Sequence, residues 1–427
     1  MSLAWQPLFS GELAAEMLGI VDDIADATQA PFACPANISR DFAPMWQCSL
    51  EAMAAQSLLH AYLALHGGGD AGDVRSKARC EARADAAIAL LDQATDGAGA
   101  LVLPPGLYDG FSGISWVTAH LTGRLFDEAD DSCLEVDEVL LATLANPLWN
   151  TRYELLNGVV GIGVYARERL PRPSAVRLLE AVVDRLAACA QRTAAGAAFF
   201  SPREALSPAY QDTTPDGTYN LGMAHGIAGV ISLLGSVCSA GVAVDRAAPL
   251  LADSVAWLLA RELPPGGDHR FTSTYTPGRD VDVGRLSWCH GDLAGATALL
   301  VAARGAGEPA WEEHARRLAR FAAARTVDNT SVPDATLCHG AAGIGHLFNR
   351  LYQSTGDAAL GEAARRWLSR AVAMREPELG VAGHRMFERG KRYGHPGFRI
   401  GASGIALALL AAASPVRPDW DRLLMAS

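Results

Sequence analysis

The sequence predicts an all-α protein built from about seven repeated helix pairs, and three observations carry that expectation. A short glycine-bearing signature followed by an apolar run recurs along the chain. Charge-bearing amphipathic stretches separate its copies. Half of the 427 residues are hydrophobic and only 19% are charged, the profile of a folded chain with core nearly throughout.

The signature has the form G-x-x-G. It opens GFSGISWVTAHL at Gly110, GVVGIGVYARERL at Gly158, GIAGVISLLGSV at Gly226, GAAGIGHLFNRL at Gly340 and GASGIALALLAA at Gly401. A further copy, GDLAGATALLVAA from Gly291, puts Ala294 where the second glycine falls, or carries one extra residue before Gly295. SLEAMAAQSLLHAYLALH, from Ser49, reads as a degenerate first copy without the glycines. Copies recur every roughly 50–70 residues, room for two helices and their loops. The apolar runs lack the alternation of a half-buried strand and hold Ala and Leu as often as Val and Ile, so they read as buried helices. Between them, the stretches Ser174 to Arg192 and Pro309 to Arg325 carry apolar residues at helical spacing on one face, which makes them outer helices. Such an alternation closes into a ring or winds into an open solenoid, and the repeat count does not choose between the two.

The formal charge is −11 with both signs interspersed, so bulk electrostatics favours neither nucleic acid nor an anionic membrane as partner. One basic stretch runs from His384 to Arg399, with Arg385, Arg389, Lys391, Arg392 and Arg399 against Glu388; it reads as a solvated loop or as a docking point for a peptide. The start of the chain has no signal-peptide pattern, and no apolar run approaches the ~20 residues of a membrane span. A cytosolic protein with reduced thiols is the expectation.

The residues just before the glycines carry the chemistry. The copies read Trp288-Cys289-His290-Gly291, Leu337-Cys338-His339-Gly340, Met223-Ala224-His225-Gly226 and Tyr153-Glu154-Leu155-Leu156-Asn157-Gly158. If equivalent turns meet, two thiols, three imidazoles and a carboxylate converge. Two thiolates and one imidazole make a three-ligand zinc site with the fourth tetrahedral position open. Satisfied core residues and a thiol-redox pair remain the other readings of the same residues. An open zinc could activate water or hold an incoming thiol as thiolate, and thiolate ligands favour the second. No phosphate-cradling or dinucleotide fingerprint is present.

The segments LGMAHGIAG at 221–229, RLSWCHGDLAG at 285–295 and LCHGAAGIGH at 337–346 resemble the three signature motifs of the lanthionine cyclase (LanC) family, and the repeat order is similar along the whole chain. The resemblance implies an α/α toroid, a double α/α barrel of seven inner and seven outer helices, with residues 1–427 forming a single cyclase domain. It implies one zinc per chain held by Cys289, Cys338 and His339. The reaction it implies is Michael-type addition of a peptide Cys thiol to dehydroalanine or dehydrobutyrine, closing lanthionine or methyllanthionine rings. The implied partners are a dehydrated precursor peptide, a separate dehydratase and an exporter, in the bacterial cytoplasm beside a membrane-bound biosynthetic complex.

By motif, His225 matches the family's catalytic histidine, suited to deliver a proton to the enolate left by thiolate addition. Arg285 matches an arginine placed to support the developing enolate charge. Glu154 stands where the family commonly has Asp after Tyr, a carboxylate on a longer arm to orient His225, with Asp109 as its rival. His290, where the family often has Tyr, and Asp292 are expected to support the ligands or to touch substrate, since a fourth protein ligand would close the site. Trp288 is read as packing. Addition of glutathione or another small thiol to dehydrated residues is the alternative activity, and a non-catalytic peptide-binding scaffold the alternative class.

Overall fold

A computed structural model describes residues 4–34, 38, 43–67, 74–125, 127, 131–146, 152–206, 211–212, 214–279, 284–326, 330, 332–388 and 390–427. Arg389 of the basic stretch lies outside the described residues.

In chain order the helices are α1 (Gly11–Ala27), α2 (Ala43–Cys48), α3 (Met53–Gly67), α4 (Val74–Gly99), α5 (Phe111–Leu121), α6 (Leu134–Ala145), α7 (Val159–Glu168) and α8 (Pro173–Cys189). They continue as α9 (Ile227–Ser239), α10 (Val244–Leu259), α11 (Asp292–Ala306), α12 (Pro309–Ala323), α13 (Ala341–Thr355), α14 (Ala358–Ala373) and α15 (Ala402–Ala413). Seven of these, α3, α5, α7, α9, α11, α13 and α15, start at the seven copies of the repeat, the degenerate one included. They are the buried helices: in α9 and α15 nearly every residue is buried. The helices between them, such as α8 and α12, bury one face only, through Leu178, Leu179, Val182, Val183 and Leu186 in α8 and Ala315, Leu318, Ala319, Ala322 and Ala323 in α12.

The turn that starts each buried helix explains its glycines. The first amide of the helix donates to the carbonyl seven residues earlier: Phe111 to Pro104 at 3.1 Å, Val159 to Arg152 at 3.0 Å, Ala341 to Asp334 at 3.0 Å and Ala402 to His395 at 2.8 Å. Backbone carbonyls thus satisfy donors that a Ser or Asp cap would otherwise take. The loop must fold back tightly to do so, and a Cβ on Gly158 would stand 2.2 Å from the Arg152 carbonyl oxygen. In the copy at Gly291 Ala294 holds the second-glycine position, because α11 begins at Asp292 directly after Gly291. The same copy is the one whose cap glycine takes positive φ, +84° at Gly291, a left-handed start that glycine adopts freely.

Short antiparallel strands decorate the helices: β1 (Gln191–Thr193) with β2 (Gly196–Ala198), β3 (Phe200–Ser201) with β4 (Thr218–Asn220) and β5 (Thr274–Tyr275), and β6 (Met386–Glu388) with β7 (Lys391–Tyr393). At two or three residues each they are too short for the alternation that betrays a strand in sequence. β4 matters for the site, since it delivers Asn220, paired with Thr274, into the turn that carries His225.

Contacts divide the chain into two compact units. One comprises residues 1–104, 108–131 and 331–420, and the other residues 105–107, 132–330 and 421–427. In the second unit the segment after Trp420 is built into the core: Leu423 and Leu424 are fully buried, and the Trp288 indole donates to the Leu424 carbonyl at 2.8 Å. Trp288 therefore packs, as its sequence context suggests. Among the described residues no helix is long and apolar enough to cross a membrane.

Candidate metal and proton-transfer site

Within each unit the turns are stitched to their neighbours by backbone hydrogen bonds. In the second unit, Leu107 donates to the Leu156 carbonyl at 2.9 Å, Leu155 to Ala224 at 3.2 Å and Met223 to Cys289 at 2.9 Å. In the first, Cys338 donates to Arg399 and Phe398 to Leu50, each at 2.9 Å. These bonds fix the phase of the repeat. Cys289 and Cys338 sit two residues before their glycines, and His225, His290 and His339 one before, so the side chains that carry chemistry occupy repeated positions.

Glu154 breaks that phase, four residues before Gly158, and still reaches His225. Its Oε2 lies 2.9 Å from His225 Nδ1. The same carboxylate accepts the backbone amides of Leu156 at 3.0 Å and Asn157 at 2.7 Å, so its own turn holds it in place and aims it at the imidazole. Tyr153 braces the turn by donating to the His225 and Phe199 carbonyls, both at 3.2 Å. The imidazole itself is 46% exposed, which leaves its other nitrogen open to a ligand. The rival carboxylate, Asp109, belongs to the first unit, where its charge is felt by Glu51 and Arg399; Glu154 is the one against His225.

Cys289 is buried, its thiol 3.4 Å from the Ser287 hydroxyl. His290 beside it is buried too, with Nε2 3.2 Å from the Asn220 side chain amide nitrogen, while Asn220 Oδ1 accepts the Gly222 amide at 2.9 Å. His290 thus joins the Cys289 turn to the His225 turn. Asp292 faces the other way: its Oδ1 accepts the amides of Arg270 at 2.9 Å and Phe271 at 2.8 Å, and burial raises its carboxyl above the usual range. That places it as a clamp on the 270–271 backbone. The Arg285 side chain is exposed, and its carbonyl is what Gly291 packs against, where a Cβ would stand 1.8 Å away.

In the first unit Cys338 is buried, and its sulfur lies within 4.8 Å of a His339 ring nitrogen. Behind His339 is the fully buried Asp334, whose Oδ2 is 3.7 Å from Nε2. Asp334 is itself pinned, Oδ1 by the Thr336 amide and hydroxyl at 3.0 and 2.8 Å, Oδ2 by the Phe387 amide at 2.8 Å. A fixed carboxylate behind a ring sets the tautomer and direction of a ligating imidazole. Two thiols and one imidazole, those of Cys289, Cys338 and His339, make a set that could hold a metal ion, and the set suits zinc with one position left open.

Sequence reasoning missed Asp334 and also a buried pair, Glu51 with Arg399. Arg399 Nε donates to Glu51 Oε1 at 3.0 Å, and the guanidinium lies 5.7 Å over the Tyr108 ring. Burial pushes the Glu51 carboxyl up to about 7 against the pull of Arg399, and the charge of Asp109 adds to the rise. The signal was available: aligned on the helix start, Glu51 of the degenerate copy takes the position of His225 and His339.

A family model described as Lanthionine synthetase C-like protein matches residues 71–425. Among solved structures the chain resembles one titled "Nisin cyclase", with a TM-score of 0.69 and 16% identity over 96% of this chain and 97% of that one. A likeness this complete carries the fold class, the all-α toroid of about seven repeated helix pairs. No curated protein matches the chain. With five-sixths of its length matched by one family model and the motif residues standing at repeated turns, the chain belongs to the lanthionine synthetase C-like family.

Proposed function

We propose that this chain is a zinc-dependent lanthipeptide cyclase, adding peptide Cys thiols to dehydroalanine or dehydrobutyrine to close thioether rings. Family membership and the likeness to a nisin cyclase support it. The observation that carries it is the donor set of two buried thiols and an imidazole in a chain that also presents an accessible histidine against an anchored carboxylate. Residues 1–427 acting as one cyclase domain belong to the same proposal, as do a dehydrated precursor peptide, a dehydratase and an exporter as partners.

Cys289, Cys338 and His339 would hold one zinc, which when bound lowers the pKa of a coordinated peptide thiol and keeps it as a nucleophilic thiolate. The carbon–sulfur bond forms at the β-carbon of the dehydrated residue as its π electrons move to the carbonyl, leaving an enolate. His225, its Nδ1 held by Glu154, delivers the proton from its other nitrogen to the α-carbon, and the thiol proton lost at the start balances the one gained. Arg285, whose side chain is exposed, supports the negative charge on the enolate oxygen. His290 keeps the Cys289 turn in register with the His225 turn through Asn220. Asp334 orients His339.

Ring closure adds no mass, so the test counts thiols. Incubated with a dehydrated, cysteine-bearing peptide and then alkylated with N-ethylmaleimide, the product should lose one alkylation per ring. Zinc measured on chelator-washed protein should be present in the wild type and absent from Cys289→Ala and His339→Ala variants that stay helical by circular dichroism. A well-folded wild type without zinc would overturn the cyclase mechanism and bring the peptide-binding scaffold forward.

A further inference from the structure

A polar cleft of about 220 Å³ opens on the first unit, lined by Asp334, Arg370, Glu376, His384, Arg385 and Arg392, with small and apolar groups of the α14 terminus between them. Its two carboxylates are already used. Both Glu376 oxygens accept from Arg385, at 3.0 and 2.9 Å, and Asp334 is filled by Thr336 and Phe387. What the cleft offers is donors. Arg392 lies over the Phe387 ring at 5.7 Å and donates to the Pro333 carbonyl at 3.0 Å, which fixes its position with further N–H groups in hand. Arg370, exposed on the last turn of α14, brings another guanidinium.

Two polar atoms buried in the wall, the Arg385 Nε–H and His384 Nε2, have no partner among the described residues. His384 is 3% exposed, and burial together with the Arg375 charge pushes it down to about 4, so it is a neutral ring. A buried unpaired donor costs free energy that a bound acceptor restores, and the Arg385 Nε–H together with the guanidiniums of Arg370 and Arg392 suits the two oxygens of a carboxylate.

We infer that the cleft between α14 and the β6–β7 hairpin is a docking site for a carboxylate of the peptide substrate, held by Arg370, Arg385 and Arg392 with His384. The inference rests on the proposed function only for the peptide nature of the ligand. It resolves the ambiguity of the basic stretch: His384, Arg385 and Arg392 form a built anion site instead of a solvated loop, while Arg399 is committed to Glu51.

The probe is a fluorescein-labelled pentapeptide containing Asp and Glu, compared at low salt with its Asn and Gln counterpart and with inorganic phosphate as competitor. The acidic peptide should bind, and the amide peptide about tenfold more weakly or worse. An Arg370→Gln variant, which breaks no hydrogen bond described above, should lose roughly threefold to tenfold and Arg370→Gln/Arg392→Gln more, since each charge-assisted bond is worth about a factor of ten, with zinc content and circular dichroism unchanged. Equal binding of the amide peptide, no effect of either variant, or binding of phosphate without the peptide would each overturn the inference. Loss of zinc or cyclase activity in the wild type would sink the proposed function and leave the peptide-binding result to stand by itself.

Discussion

Glu154 and Glu51 are both carboxylates at the turns of one repeat, one paired with an imidazole and the other with a guanidinium, and they do opposite things. Glu154 accepts two amides of its own turn and presents itself to a half-exposed imidazole. Glu51 has Arg399 on one oxygen, with the Ile400 amide also lowering its carboxyl, and its Oε2 is buried with no partner among the described residues. The difference lies in where the donors come from. Amides supplied by the local turn hold the Glu154 carboxylate whatever its partner does, and they leave His225 half-exposed against it. A carboxylate that depends on a distant guanidinium in the core locks both groups into structure.

The largest test of that contrast removes each partner in turn. His225→Asn should slow ring closure by roughly 10²–10⁴-fold, read by the loss of alkylatable thiols with time, while zinc content and the unfolding midpoint hold. An unchanged rate would make the Glu154–His225 pair another structural clamp. Arg399→Met should do the reverse at pH 8, costing about 3–5 kcal/mol in urea unfolding, because without the guanidinium that lowers it the Glu51 carboxyl must either take up a proton or stay buried as an unpaired charge. Restoring much of that loss with Glu51→Gln in the double variant would show that the stranded charge, and not lost packing, is the cause.

How much of this was legible beforehand follows from sequence separation. The glycines, the cysteines and the histidines are local features, and the repeat fixes their phase, so Cys289, Cys338, His339 and His225 could be named from the chain alone. Glu154 was found only through motif likeness, since its phase differs and its reach to His225 depends on a side chain crossing between turns. Asp334 could not be found, since it acts across a loop whose path no local pattern encodes; Arg399 stands two residues before Gly401, at the phase of Cys289 and Cys338, but its pairing with Glu51 spans almost the whole chain. Asp292 shows the converse case. It adjoins a ligand in sequence, yet as the first residue of α11 it points to the 270–271 backbone, because a helix start sends successive side chains in different directions.

A middle-sized effect tests the anchoring of the carboxylate. Glu154→Gln keeps the volume and one acceptor but loses the charge that holds His225, and activity should fall roughly 10–100-fold with little change in stability. Glu154→Asp shortens the arm, and since the two backbone amides and His225 are all met at 2.7–3.0 Å by the longer chain, one of those bonds must lengthen. Its activity should fall between wild type and Glu154→Gln. Equal activity in all three proteins would mean that Tyr153 and the turn backbone alone orient the imidazole.

The smallest effect is the pH dependence that Glu51 imposes. Its carboxyl titrates near 4.5 in an unfolded chain and at about 7 in the folded one. Below 4.5 both states carry the proton and the group adds no pH dependence. Between 4.5 and about 7 the folded chain holds a proton that the unfolded chain has released, so stability falls as pH rises, and above 7 the loss is complete. Glu51→Gln cannot titrate and should lack this descent, so the gap between variant and wild-type urea midpoints should move in the variant's favour across that window. Parallel curves would mean that Arg399 outweighs burial and that Glu51 stays ionised throughout. Glu51 and Glu154 would then differ in exposure alone, and the source of the donors would cease to explain why one turn is chemistry and the other is frame.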